Sequence, residues 1–126
     1  MLRLLLSLLF LGCHAVVAEP GLPIRGWSSW TQFRCHVNET LVLQMGRAIV
    51  DSGLAASGYN YVLLDDCWTA CDSLVQPSGG CAKPAPRDAR GRIPVDSKKF
   101  PRGMRALTDA LHGMGLRAGI YTSIGS

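Results

Sequence analysis

Two adjacent acidic residues, Asp65 and Asp66, are the pair in this sequence best suited to chemistry. They follow an apolar, β-prone run from Tyr59 to Leu64, which Gly58 precedes and which is typical of a buried strand in a parallel sheet. Ligand sites of α/β barrels and open α/β sheets lie at the carboxyl ends of such strands, so both carboxylates can serve as ligand contacts. Aspartate also bonds readily to nearby backbone N–H groups, so the pair can equally form a turn. The spacing alone leaves both interpretations open.

The pattern around this strand predicts the element order β-α-β-α-β. Apolar residues at helical spacing predict one helix over 41–51 and another from Phe100-Pro101 to Gly113. The apolar faces are expected to consist of Leu41, Met45, Ala48 and Ile49 in the first helix and Met104, Leu107, Leu111 and Met114 in the second. Strands are predicted over 24–27, 59–64 and 116–121. The stretch 69–99 is rich in Pro, Gly, Ser and charge and is predicted to be irregular.

This element order indicates part of a larger α/β fold. Alternating strands and helices give parallel strands joined by crossovers, and three such strands leave a buried type of edge strand with nothing beside it. The sequence stops immediately after the third strand. We therefore expect residues 19–126 to form the first part of a barrel, and the alternative is a small, self-contained open sheet.

Residues 1–18 are expected to be a secretory signal peptide. Arg3 supplies the positive charge, Leu4 to Leu11 form the apolar segment, and small residues precede a cleavage site after Ala18. A lipoprotein signal at Cys13 is a weaker alternative, and the apolar run is too short to span a membrane. The mature chain is therefore expected to be soluble, with no membrane association after cleavage.

A sequon for N-linked glycosylation, Asn38-Glu39-Thr40, becomes usable if the chain is secreted. Asn38 is the expected glycosylation site, and either Asn38 or Thr40 can cap the first helix.

The distribution of charge argues against nucleic-acid binding. The formal net charge is +4, but the basic residues are scattered, and the arginines around 87–92 are mixed with Asp88. A nucleic-acid site needs basic residues gathered on one face.

Four cysteines remain after cleavage of the leader: Cys35, Cys67, Cys71 and Cys81. An even number in a secreted chain favours disulfides, and four cysteines allow three pairings. A Cys71–Cys81 bridge would close the long irregular stretch. The competing interpretation is a zinc site with His36, but the sequence lacks a C-x-x-C pair and the compartment is oxidising, so no metal is expected.

Five segments of the sequence carry distinctive motifs, in the order 26–35, 58–68, 87–91, 100–103 and 115–121. Together they resemble the N-terminal part of glycoside hydrolase family 27, the α-galactosidases and α-N-acetylgalactosaminidases. Residues 26–35 are similar to the family's G-W-N-S-W-N-x-F-x-C, and residues 58–68 to its G-Y-x-Y-V-x-x-D-D-C-W. Residues 87–91 and 100–103 match R-D-x-x-G and F-P-x-G, and residues 115–121 resemble G-L-K-L-G-I-Y. The resemblance covers essentially all of residues 24–125.

The resemblance implies a (β/α)₈ TIM barrel, of which this chain would hold the N-terminal β-α-β-α-β part. By resemblance, the sugar-binding residues are Trp30, Asp65, Asp66 and Tyr121. The two carboxylates would hold the galactose O4 and O6 hydroxyls, and the tryptophan would line the pocket. Cys35 and Cys67 match the cysteines that pair in the family, which leaves Cys71 to pair with Cys81.

The sequence also departs from the family pattern. Ser28 and Thr31 stand where the family usually has Asn, and the segment 69–86 is longer than usual. The family's nucleophilic Asp, in a K-Y-D-N-C-like motif, and its acid/base Asp have no counterpart in these 126 residues. A retaining glycosidase needs two carboxyl groups about 5–5.5 Å apart, and adjacency does not qualify Asp65 and Asp66 for that role.

These features together predict a fragment, or a truncated gene product, of a secreted α-galactosidase. The parent enzyme would act on terminal α-galactosides with retention and without cofactors, whereas this chain alone would be inactive. The alternatives are an α-N-acetylgalactosaminidase and a catalytically silent galactose-binding protein. The expected location is the secretory pathway, ending outside the cell or in the lysosome or vacuole. Homodimerisation of a full-length protein is left open.

Overall fold

The computed structural model of the chain describes residues 23–75 and 80–122. These residues form a three-stranded parallel sheet with helices between its strands, and a separate two-stranded hairpin. The elements are β1 (Gly26–Ser28), α1 (Trp30–Phe33), α2 (Glu39–Asp51), β2 (Tyr61–Leu64), β3 (Cys71–Val75), β4 (Cys81–Pro84), α3 (Gly103–Gly113) and β5 (Arg117–Ile120). The α/β class predicted from the sequence is confirmed, and the signal peptide predicted over 1–18 lies outside the described residues.

The parallel sheet has the order β1-β2-β5, so the strand before the two aspartates lies in the middle. Tyr61 is the register partner of Gly26 in β1 and of Arg117 in β5. A Cβ atom on Gly26 would come within 2.0 Å of the Tyr61 carbonyl oxygen, so only glycine allows this approach of the two strands. The carboxyl ends of all three strands therefore meet at one edge of the sheet.

The hydrophobic core lies between one face of this sheet and helices α2 and α3. Its buried members include Val42 and Ile49 from α2, Val62 and Leu64 from β2, Leu107 and Leu111 from α3, and Phe100 and Leu116 beside them. The predicted face of α3 is correct, since Leu107 and Leu111 are buried and both methionines pack against the core.

The predicted face of α2 is correct in part, since Ile49 is buried and Leu41 packs against the core. Val42, Gly46 and Ile49 are buried, whereas Ala48 is exposed. A Cβ on Gly46 would lie 2.9 Å from a methyl carbon of Leu111, so the missing side chain lets α2 and α3 approach closely. A glycine adds nothing to an apolar pattern, which is why the sequence pattern did not place Gly46 on the buried face.

The stretch 69–99 was predicted to be irregular, but it contains the antiparallel hairpin β3–β4. The Cys71–Cys81 disulfide joins its strands, with 5.6 Å between the Cα atoms. At the base of the hairpin, the Ala85 N–H donates to the Ala70 carbonyl at 3.0 Å, and the Ala70 N–H donates to the Pro94 carbonyl at 2.9 Å. Short strands without clear alternation of apolar and polar residues cannot be recognised from the sequence pattern, and here a disulfide joins the two strands.

The R-D-x-x-G motif forms a tight turn held by Asp88. Its Oδ1 accepts hydrogen bonds from the N–H groups of Arg90 and Arg92, both at 2.9 Å, and its Oδ2 accepts one from the Arg92 side chain at 2.7 Å. The backbone N–H of Arg92, followed by its side chain, lowers the pKa of Asp88 below the usual value of 3.8. Arg87 closes the turn by donating to the Gly91 carbonyl at 2.8 Å. This motif therefore has a structural explanation.

No helix among the described residues has the length and hydrophobicity needed to cross a membrane.

Candidate functional site

Asp65 and Asp66 form a turn at the carboxyl end of β2 in which each carboxylate uses one oxygen. The Asp66 N–H donates to Asp65 Oδ1 at 2.8 Å, and the Cys67 N–H donates to Asp66 Oδ1 at 2.7 Å. Among the described residues, no hydrogen bond reaches the Oδ2 atom of either carboxylate. Asp65 is half-buried and Asp66 is exposed. The two interpretations of the pair are therefore compatible, because one oxygen of each shapes the turn and the other can accept a bond from a ligand.

Ser29 anchors this turn to the segment that follows β1. It is fully buried, its N–H donates to the Leu63 carbonyl at 3.1 Å, and its Oγ accepts a hydrogen bond from the Asp65 N–H at 2.9 Å. The next residue, Trp30, begins the short helix α1 and remains 42% exposed. Ser29 therefore fixes Trp30 and Asp65 relative to each other. Sequence analysis assigned Ser29 no role, although it lies inside the W-S-S-W motif.

Tyr121 lies beside the same turn, directly after β5. Its N–H donates to the Leu64 carbonyl, and its own carbonyl accepts the indole N–H of Trp68, both at 2.8 Å. Trp68 is buried, whereas Tyr121 is 44% exposed. The indole thus ties the segment after β2 to the segment after β5 and leaves the phenol ring accessible.

The disulfide Cys35–Cys67 joins the segment after β1 to the turn, with 5.1 Å between the Cα atoms. Cys67 has a φ of 69°, a left-handed conformation that costs a non-glycine residue about 1–2 kcal/mol. Both predicted cysteine pairings are present in the structure. The described residues contain no group of three or more His, Cys, Asp or Glu side chains that could hold a metal ion.

A lysine that the sequence analysis missed reinforces the same connection. The Lys99 ammonium donates to the carbonyls of Cys35 and Cys67, both at 3.0 Å. Its own carbonyl accepts the Glu39 N–H at 2.9 Å, so Lys99 also contacts the start of α2. In the sequence it stands beside Lys98, and such a pair is typical of a solvated surface, so no signal distinguished it.

Glu39 and Arg102 connect the starts of α2 and α3 at this edge. Glu39 is only 4% exposed, and its carboxylate accepts hydrogen bonds from the side chain and, at 3.3 Å, the backbone N–H of Arg102. A buried carboxylate needs such a partner, because an unpaired buried charge is strongly destabilising. This pair holds the 96–102 segment, and with it Lys99, against α2.

The residues predicted to bind sugar therefore follow three neighbouring strands at one edge of the sheet. Trp30 follows β1, Asp65 and Asp66 follow β2, and Tyr121 follows β5. Two exposed aromatic rings and two carboxylates, each with an oxygen available, are arranged on a rigid base. Such an arrangement suits a ligand with several hydroxyl groups and an apolar face.

Comparison with known proteins identifies the family to which this chain belongs. The family model described as Alpha galactosidase A (Melibiase_2) matches residues 22–126. The chain belongs to the alpha-galactosidase A family. Alpha-galactosidase 2 of Arabidopsis thaliana is 41% identical over 104 residues, which make up 82% of this chain and 23% of that protein.

Two further members of the family extend the comparison. Alpha-N-acetylgalactosaminidase of Gallus gallus is 36% identical over 113 residues, covering 82% of this chain and 24% of that protein. The structure of the Saccharomyces cerevisiae α-galactosidase with raffinose matches 82% of this chain and 20% of its own, with 37% identity and a TM-score of 0.67. This chain thus spans about a quarter of the length of the curated family members that it matches.

Proposed function

We propose that this chain is the N-terminal part of an α-galactosidase and supplies galactose-binding residues to its active site. The observation that carries the proposal is the turn at Asp65 and Asp66. It presents two carboxylates at the carboxyl end of the central strand, each with one oxygen that no described residue uses.

The chemistry of these groups suits galactose. A carboxylate accepts charge-assisted hydrogen bonds from hydroxyl groups, each worth about 1.5–3 kcal/mol. In galactose the O4 hydroxyl is axial, and a site that bonds it there rejects a sugar that places it elsewhere. The exposed rings of Trp30 and Tyr121 offer apolar surface to the C–H face of the sugar. The proposed substrates are therefore terminal α-galactosides.

We assign the bond-breaking residues to the part of the enzyme outside these 126 residues. Retaining hydrolysis needs a nucleophile and an acid/base about 5–5.5 Å apart across the scissile bond. Asp65 and Asp66 each use one oxygen to hold their turn, and the sequence has no K-Y-D-N-C-like motif. The proposed reaction uses carboxyl groups throughout and requires no metal or organic cofactor.

The complete catalytic domain is proposed to be a (β/α)₈ barrel. In the described structure, β1 and β5 each pair with β2 alone, so both have an open edge. Beside β5, an apolar groove is lined by Leu107 and Leu111 of α3 and by Ile120, which is 50% exposed. A further strand and helix packed there would cover this groove and pair with the open edge.

The proposed route of the protein is the secretory pathway, ending outside the cell or in the lysosome or vacuole. Two disulfides support this proposal, because disulfides form and persist in oxidising compartments. Cleavage of the leader over 1–18 would release the mature chain.

A graft tests the function directly. Residues 24–122 replace the matching segment of the Saccharomyces cerevisiae α-galactosidase, and the hybrid is assayed with an aryl α-galactoside. We expect a folded, active hybrid, whereas the 126-residue chain by itself should show no hydrolysis above background. A folded hybrid without activity would contradict the proposed role of this segment, and hydrolysis by the chain alone would contradict the assignment of catalysis to residues outside it.

The identity with the Gallus gallus protein supports a second candidate, an α-N-acetylgalactosaminidase. The two activities differ in the group at C2 of the sugar, while the O4 hydroxyl is axial in both. A full-length protein containing this chain, assayed on both aryl glycosides, distinguishes them by the ratio of the two kcat/KM values.

A further inference from the structure

The sequon Asn38-Glu39-Thr40 coincides with the start of helix α2, where Asn38 is the capping residue. Asn38 has extended backbone angles, and its Oδ1 accepts the Leu41 N–H at 2.9 Å. Capping of this kind satisfies one of the N–H groups that the first turn of a helix leaves without an intrahelical partner.

Capping and glycosylation use different atoms of the same side chain. The cap needs only the carbonyl oxygen Oδ1, whereas an N-linked glycan is attached at the amide nitrogen Nδ2. The side chains of the sequon are also separated by the fold, since Asn38 and Thr40 are exposed while Glu39 is buried against Arg102. The acceptor and the hydroxyl of the sequon therefore both face the surface.

The surface beside Asn38 leaves room for a sugar. An open concavity of about 370 Å³ adjoins it, lined by Leu43 and Pro101 as well as by Lys98 and Arg102. Apolar and charged groups together suit a sugar ring that carries both C–H and hydroxyl surfaces.

We propose that Asn38 carries an N-linked glycan through Nδ2 while its Oδ1 continues to cap helix α2. In the attachment, Nδ2 forms a bond to C1 of the first sugar of a lipid-diphosphate-linked oligosaccharide. The bond from C1 to the diphosphate oxygen breaks, the lipid diphosphate leaves, and the amide gives up one proton. The inference depends on entry into the secretory pathway and is independent of galactose binding.

The test expresses the full chain in a eukaryotic secretory host, in parallel behind its own leader and behind a signal peptide of the host. Asn38 begins the one N-x-S/T sequon of the sequence, since Asn60 is followed by Tyr and Val. Peptide N-glycosidase should therefore increase the gel mobility of the secreted wild type in a single step. N38D and T40A should already run at the deglycosylated position. A secreted wild type whose mobility does not change would overturn the proposal.

Peptide mass spectrometry locates the site independently of folding. Deglycosylation in ¹⁸O-water converts a glycosylated Asn to labelled Asp, and we expect the label at position 38. Unmodified Asn38 throughout the secreted wild type would contradict the proposal, whatever the stability of the chain.

The cap is tested by hydrogen exchange at the Leu41 amide. Glycosylated wild type and T40A should exchange at the same rate, because both retain Oδ1. N38D should match the glycosidase-treated wild type, since enzymatic release of the glycan leaves Asp at this position and makes the two covalently identical. N38A should exchange roughly 2- to 30-fold faster, the factor that corresponds to the usual cost of losing a cap. Equally fast exchange in glycosylated wild type and N38A would show that the glycan breaks the cap.

Discussion

Each disulfide of this chain lies in a different kind of surroundings. The Cys35–Cys67 bridge belongs to a turn that is also fixed by Ser29 and by the two hydrogen bonds of Lys99. The Cys71–Cys81 bridge closes a hairpin in which Asp72 and Lys83 form an ion pair at 3.2 Å that is largely exposed to solvent. The turn belongs to the base that carries the candidate site, whereas the hairpin is joined to that base through the hydrogen bonds of Ala70.

This difference shows which region the fold uses to position functional groups. Residues held in unusual backbone conformations, such as Cys67, persist only when several contacts hold them, and they are frequent at functional sites. None of the described core residues lies in the hairpin. The carboxylates of the candidate site therefore depend on the core and on the contacts of Ser29 and Lys99. The hairpin can change with little effect on these carboxylates.

The largest expected difference is between the variants that lack one disulfide and those that lack the other. C35S/C67S should destabilise the fold by about 4 kcal/mol, because the bridge closes a loop with a sequence separation of 32. C71S/C81S should loosen the hairpin but leave the main unfolding transition nearly unchanged. Denaturant unfolding followed by tryptophan fluorescence, with native-state hydrogen exchange for the hairpin, measures both. Equal losses in the main transition would remove the distinction between the two regions.

The next effect concerns Lys99. Replacing it by Met leaves two carbonyl groups without their charged donor, and hydrogen bonds to charged groups contribute about 1.5–3 kcal/mol to stability. We expect K99M to lower the free energy of unfolding by roughly this amount. The matched control is K98M, because Lys98 is exposed and its observed bond is a backbone N–H that the variant keeps. If both variants lose the same stability, the hydrogen bonds from Lys99 to the carbonyls of Cys35 and Cys67 do not stabilise the fold.

A smaller effect is expected for Ser29. The S29A variant removes the acceptor of the Asp65 N–H in a fully buried position and should cost about 1–3 kcal/mol. Ser97, an exposed serine, provides the control, and S97A should remain within about 0.5 kcal/mol of wild type. Thermal unfolding of both variants, measured side by side, is sufficient. An unchanged Tm in S29A would exclude Ser29 as an anchor.

The smallest effect is a pH dependence of the turn at Asp88, which adjoins the hairpin. Its pKa in the folded chain is lower than the usual 3.8, mainly because of the backbone N–H of Arg92. Its contribution to stability is therefore complete above the unfolded-state pKa and is lost as the pH falls through the folded-state pKa. Protection of the Arg90 and Arg92 amides, measured as the exchange rate relative to the intrinsic rate at each pH, should fall below about pH 4, and D88N should remove this dependence. A pH-independent turn in the wild type would show that the carboxylate does not hold it.

The sequence was a sufficient guide to the elements that obey a simple period. The apolar face of α3 and the β-prone run before Asp65 gave correct elements, with bounds a few residues from those observed. The pairing of Cys35 with Cys67 came from the family resemblance, and the structure contains it.

The contacts that fix the candidate site could not be read from the sequence. Lys99 reaches carbonyls 64 and 32 residues away, and Ser29 meets an N–H 36 residues away. Such polar contacts produce no periodic pattern in the sequence, because each depends on how separate elements pack together. The buried face of α2 was predicted only in part for a related reason, since only the closeness of α3 explains why Gly46 is buried.

The central claim is that Asp65 and Asp66 bind the sugar as well as shape the turn. In the hybrid with the Saccharomyces cerevisiae enzyme, each Asp→Asn change keeps a side chain that can form the turn but removes the charged acceptor. We expect D65N and D66N each to lower kcat/KM roughly ten- to a hundredfold, with the Tm close to wild type. D51N, at the exposed end of α2, should change neither quantity. An unchanged kcat/KM in both D65N and D66N would contradict the account and leave the pair as turn residues alone.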